Sequence, residues 1–182
     1  MRALLAFSHG ADRVSRAAGV VADYLVLLAC VVSAGNAITR YVFNWSSNGL
    51  LEIQWYMFAG MVMLGASYTL LRNEHVRVDL LYGSRSERGK LWTDVFGLVV
   101  FLIPCMAALA LWTWGLFWRS WVSGETSSNA GGLVRWPVML LLPLGFGLLT
   151  IQGLAELVKR AALLRGVDPG GETVTAYEKP VQ

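Results

Sequence analysis

The stretch LWTDVFGLVVFLIPCMAALALWTWGLFW, Leu91 to Trp118, decides the fold. After Asp94 it holds no formal charge. About 20 apolar residues already cross a hydrocarbon core of about 30 Å, and this run at 1.5 Å per residue reaches about 42 Å, so it is expected to tilt or project. Three further apolar runs flank it, Ala17–Ile38, Leu50–Leu71 and Pro137–Val158. Unpaired backbone groups are not tolerated in lipid, and the runs lack the in/out alternation of barrel strands, which leaves helices. The fold class is therefore all-α, an integral membrane protein with four transmembrane helices at about 17–38, 50–71, 91–118 and 137–158. Composition agrees: 55% of the 182 residues are hydrophobic and 15% charged, which excludes an ordinary soluble domain and a disordered chain. The expected organisation is an N-terminal segment 1–16, a membrane domain 17–160 and a tail 161–182, disordered from Gly166.

Twelve of the fifteen Lys and Arg fall in the N-terminal segment, the second loop and the C-terminal segment; only Arg40, Arg119 and Arg135 lie on the other side. The positive-inside rule then places both termini in the cytoplasm. Seven of the eight Trp gather at the outer helix ends, Trp92 alone marking the inner interface. They read either as anchors in the lipid interface or as a surface facing a partner. Val32-Ser33-Ala34 resembles a signal cleavage site, but the preceding run is too long for a signal core and Asp23 interrupts it, so an uncleaved first helix is expected. The formal charge of +3 is sorted between loops rather than gathered on one face, which argues against a nucleic-acid binder.

The residue inventory predicts no catalytic group, no cofactor site and no metal site. Haem ligation needs paired helical His, whereas the two His are His9 and His75, both in polar segments. Cys30 and Cys105 sit in apolar runs, away from the outer loops where a disulfide-generating quinone enzyme needs its thiols. Asp23, Glu52, Asp94 and Glu156 are each expected within a turn or two of a helix end, leaving the helix centres without a proton or ion relay. A self-associating channel and a stand-alone membrane oxidoreductase of the quinone-reacting kind remain as competing classes.

Two polar clusters stand out. Arg40-Tyr41-Val42-Phe43-Asn44 ends the first run and Glu52 opens the second. Arg40 and Glu52 are expected either to pair and close the hairpin or to meet a partner subunit. Asn48 is a candidate helix cap. The second cluster, Arg72-Asn73-Glu74-His75-Val76-Arg77-Val78-Asp79, alternates in charge. It is either a solvated loop or a segment paired against the membrane surface or another subunit. Asp79 suits a cap for a short turn, and Ser84-Arg85-Ser86-Glu87 has capping-box spacing ahead of the third helix. The loop between Arg119 and Trp136 reads as a flexible polar connection, and Gly60, Gly65, Gly145 and Gly147 as places where helices approach closely.

At these clusters the sequence resembles the small membrane subunit of TRAP transporters, the tripartite ATP-independent periplasmic carriers. The resemblance covers about Ala17 to Arg160 and is most specific at Arg40-Tyr41-Val42-Phe43-Asn44 and Glu74-His75-Val76-Arg77-Val78-Asp79, which look like the family's RY-x-F and EH-x-R-x-D patterns. One departure is that Glu52 stands between Leu51 and Ile53, where many members carry two adjacent acidic residues. The resemblance implies a non-catalytic subunit that scaffolds the large TRAP membrane subunit during sodium-driven import of an organic acid delivered by a periplasmic substrate-binding protein. Arg40, Tyr41, Phe43 and Glu52 would then order the outer end, and His75, Arg77 and Asp79 the cytoplasmic end, as structural or interface positions.

Overall fold

The computed structural model describes residues 2–45, 47–75, 82 and 85–170. Among these residues four helices are long and apolar enough to span a membrane: α1 Arg2–Phe43, α2 Asn48–Arg72, α3 Glu87–Ser123 and α4 Trp136–Leu164. No strand accompanies them, only an isolated antiparallel bridge between Thr126 and Val134. The all-α membrane fold read from the apolar runs is the fold observed.

The helices outrun the apolar stretches that announce them. α1 has 42 residues, about 63 Å at 1.5 Å each, so the expected separate segment 1–16 is the first four turns of the same helix. The cause is a second buried face. Ser8, Ala11, Asp12, Ser15, Ala18, Gly19 and Ala22 recur every three or four positions and are buried, while Arg2, Arg13 and Arg16 point outward. Burial continues past the membrane run, and the helix continues with it. At the other terminus Gly166 (φ +73) turns the chain after α4. Pro169 is buried, and its carbonyl accepts from His9 Nε2 at 3.1 Å. Residues 166–170 of the expected tail thus reach the start of α1; residues 171–182 lie outside the described set.

Helix ends follow local chemistry. Asn44 (φ 50) and Asn73 (φ 59) take the left-handed conformation that stops α1 and α2, which Asn tolerates better than most residues. The Asn73 and Glu74 amides donate to Leu70 and Thr69 at 3.1 Å, closing the last turn of α2. Ser47, not Asn48, is the N-cap of α2; Asn48 Nδ2 instead donates to Ala130 at 3.2 Å. Ser86 caps α3 by accepting from the Gly89 amide at 3.3 Å, two residues beyond the Ser84 of the expected capping box. A π turn interrupts α3 at Leu98–Leu102, with the Ile103 amide reaching back to Leu98. Pro104 follows at once, and the wider turn accommodates a ring that would press on an ordinary α-helical carbonyl.

α1 and α2 form an antiparallel hairpin and α4 packs against both; α3 packs on α4 and makes no comparable contact with α1 or α2 among the described residues. α4 is therefore the central helix. Glycine sets the spacing. A Cβ at Gly145 would lie 2.7 Å from the Met63 carbonyl oxygen, so only glycine allows the α2–α4 crossing, and Gly153 receives Leu102 of the π turn. Gly147, expected at a contact, faces open space. The start of α1, the end of α2, the start of α3 and the end of α4 share one end of the bundle, called here the terminal end. The opposite end is rich in Trp. Gly145→Ala is expected to cost about 1–3 kcal/mol of stability in detergent, because backbone must shift, whereas Gly147→Ala leaves the thermal midpoint unchanged.

Candidate functional site

At the terminal end, α4 carries Gln152, Glu156 and Lys159, spaced four and three apart and so on one face, toward Asp12 and Ser15 of α1. Lys159 is 1% exposed. Its Nζ lies 2.7 Å from Asp12 Oδ1 and 2.8 Å from Glu156 Oε1. Gln152 Nε2 donates to the same two oxygens at 3.0 and 3.1 Å, and its Oε1 accepts from the Ser15 hydroxyl at 2.8 Å. Arg160 extends the network to α3: its Nε lies 2.9 Å from Asp94 Oδ2, and its Nη1 pairs with Glu156 Oε2. The Tyr82 hydroxyl also donates to Asp94, at 3.2 Å. Three carboxylates and two cations thereby hold α1, α3 and α4 together. The sequence reading used Lys159 and Arg160 only as orienting charges and singled out neither Asp12 nor Gln152. The available signal was a polar stripe at helical spacing in an otherwise apolar helix.

At the Trp-rich end the organising group is Glu52, buried just past the first turn of α2. Its carboxylate accepts from Asn129 Nδ2 at 2.7 Å, from the Leu133 amide at 2.7 Å and from the Ser127 hydroxyl. The loop between α3 and α4 is consequently folded rather than a flexible connection. Ser127 donates to Leu133, and Arg135 to Glu125, through backbone bonds of 2.9 Å, and the Arg135 side chain pairs with Glu125. The Tyr56 hydroxyl adds a bond to the Val134 carbonyl at 3.0 Å. Beside this clamp Trp121 and Trp136 pack edge to face, with ring centroids 4.7 Å apart, joining α3 to α4.

The remaining sequence-predicted positions are dispersed. Arg40 is exposed and makes no hydrogen bond or ion pair among the described residues, so the expected pair with Glu52 does not form. α1 stays helical through Phe43 and presents Arg40 outward, while loop donors fill the Glu52 carboxylate. Tyr41 and Phe43 are 84% and 70% exposed. His75 lines a groove between α1 and α2 together with Asp23. Arg77 and Asp79 lie outside the described residues.

Asp23 stands beside the contact between α1 and α2. α1 meets α2 at Gly19 against Tyr68, Ala22 against Gly65 and Leu25 against Gly60, which puts Asp23 level with the residues around Met63. Met63 in turn meets Gly145 within the α4 span. The carboxylate therefore lies about two turns before the level at which α2 ends. It is exposed and has no partner among the described residues. No group of three or more His, Cys, Asp and Glu suited to a metal occurs among the described residues.

The family model for the DctQ component of tripartite ATP-independent periplasmic transporters matches residues 28–163, from the middle of α1 to the end of α4. The chain belongs to the DctQ family. It is thus a TRAP transporter small permease subunit, a transport component and not an enzyme. A similar protein is the C4-dicarboxylate TRAP transporter small permease protein DctQ of Vibrio cholerae serotype O1, 31% identical over 91 residues, which are 50% of this chain and 37% of the relative. The chain thus spans well under half of that relative's length in the match. No solved structure matches it. The family match includes Gln152, Glu156 and Lys159 but begins after Asp12, so α1 partners of the charge network lie in the unmatched part.

Two outcomes test these clamps in the DctQ subunit. Lys159→Met leaves Asp12 and Glu156 without their shared cation and is expected to cost about 3–5 kcal/mol, with most of it recovered when Asp12→Asn and Glu156→Gln are added; unfolding in detergent measures both. Glu52→Gln brings an amide donor to face three existing donors and is expected to speed protease cleavage of the 124–135 loop severalfold, with helix content unchanged by circular dichroism.

Proposed function

We propose that this subunit is a static brace for the large TRAP membrane subunit, in a sodium-driven importer of an organic acid that a periplasmic binding protein delivers. The observation that carries this reading is how the charges are used. Asp12, Asp94, Glu156, Lys159 and Arg160 fasten one helix to another, which makes them structural bonds rather than stations on an ion path. α3, joined to the rest through α4, leaves broad apolar faces of the bundle uncovered, with Phe101, Leu111 and Trp112 between 60% and 76% exposed. Such faces suit lipid and a membrane partner. The substrate class follows the relative, whose name specifies C4-dicarboxylates.

Both termini lie on the cytoplasmic face of the inner membrane in this reading. The charge bias of the loops supports it, and so does the sharing of one bundle end by His9 of α1 and Pro169 after α4. Arg40, Tyr41 and Phe43 then stand on the periplasmic side, where their exposure suits contact with a partner. Glu52 holds the neighbouring loop in shape for the same purpose. His75, Arg77 and Asp79 serve the cytoplasmic side.

The test is uptake of labelled organic acid in cells expressing the binding protein, the large subunit and this chain. Removing the chain is expected to abolish sodium-dependent uptake, and Arg40→Ala to lower it severalfold with membrane levels of the chain unchanged. Full uptake without the chain would overturn the role. A C-terminal green fluorescent protein fusion is expected to fluoresce, and alkaline phosphatase inserted near Ser128 to be active; the reverse pattern would overturn the orientation.

A further inference from the structure

Between α1 and α2 an outward-opening groove of about 390 Å³ is lined by Gly19, Ala22, Val62, Gly65, Asp23 and His75. Tyr68 covers Gly19 and Ala22 faces Gly65, so the groove offers room for side chains of an incoming helix rather than for close backbone approach. On its wall stands Asp23, exposed and without a partner among the described residues, inside the apolar run Ala17–Ile38 and about two turns before the level at which α2 ends. Lipid tails offer this carboxylate neither a donor nor a counter-charge. A second copy of the chain docked through the same groove would bring two Asp23 carboxylates together, since a two-fold interface repeats its own residues. Charge complementarity selects a different helix.

We propose that this groove is the seat of a transmembrane helix of the large membrane subunit, one that presents an Arg or Lys to Asp23. This inference rests on the brace role proposed above and specifies the face that performs it. The approaching cation finds its counter-ion among apolar neighbours, where the interaction is screened less than in water, which favours one helix and one register over others. His75 stands at the terminal end of the same groove as a polar contact for the incoming helix. A single buried pair of this kind acts chiefly on the choice of partner.

The experiment uses the full chain co-expressed with its large subunit. The photo-cross-linking residue benzoylphenylalanine is placed at Val62 in the groove and, in a second variant, at Phe101 on the exposed face of α3. An adduct with the large subunit is expected from Val62 and not from Phe101. Asp23→Leu is expected to lower recovery of the large subunit about tenfold, Asp23→Glu to retain it, and the isolated Asp23→Leu chain to keep its thermal midpoint, because an apolar side chain suits lipid. An adduct from Phe101 alone, or a Val62 adduct between two copies of this chain, would overturn the groove assignment while leaving the brace role standing. Unchanged recovery with Asp23→Leu would overturn the part given to Asp23, and loss of stability in the isolated variant would make Asp23 a folding residue instead. Failure of the unsubstituted chain to recover an intact large subunit would overturn the brace role and this inference together.

Discussion

Lys159 sits between two carboxylates at the terminal end of the bundle, and the positions of the other elements depend on that contact. An ammonium taken out of water is costly unless its charge and its protons are met, and Asp12 from α1 and Glu156 from its own helix meet both. The requirement reaches outward. α1 must extend about one and a half turns below its apolar stretch to bring Asp12 into place, and α4 must continue past its own to carry Lys159 and Arg160. Arg160 then fixes α3 through Asp94. The chain after Gly166 returns to His9 on the same platform.

The opposite end solves the same problem with one acidic residue. Glu52 gathers three donors from the α3–α4 loop, and with the bonds of Asn48 and Tyr56 to the same loop this ties the start of α2 to the connection between α3 and α4. Between the two polar ends, close approach is governed by Gly145 and Gly153 and by the π turn ahead of Pro104. Polar bonds at the ends and dry contact in the middle make a stiff body, since neither end can slide without breaking several hydrogen bonds at once. For the DctQ family, in which a small permease subunit stands beside a larger membrane protein, stiffness with uncovered flanks is a coherent combination.

Much of this was legible before any helix was placed. The four spans follow from apolar run length, because the bilayer imposes one thickness on every segment. The Arg40 and His75 motifs carry the family, although the structure leaves Arg40, Tyr41 and Phe43 on the surface and sets His75 in a groove. What was not legible is which charge meets which. Arg40 and Glu52 are near in sequence and of opposite sign, yet Ser127, Asn129 and Leu133 occupy the carboxylate.

The sequence by itself determined the helical class, the number of spans, the charge bias between loops and the family, since each is written in composition, period or local motif. Tertiary structure alone decided the partners of Lys159 and Glu52, the level of Asp23 against α2 and the central place of α4. These depend on how far one helix is displaced along another. A shift of one turn, about 5.4 Å, leaves every apolar run intact and changes every partner.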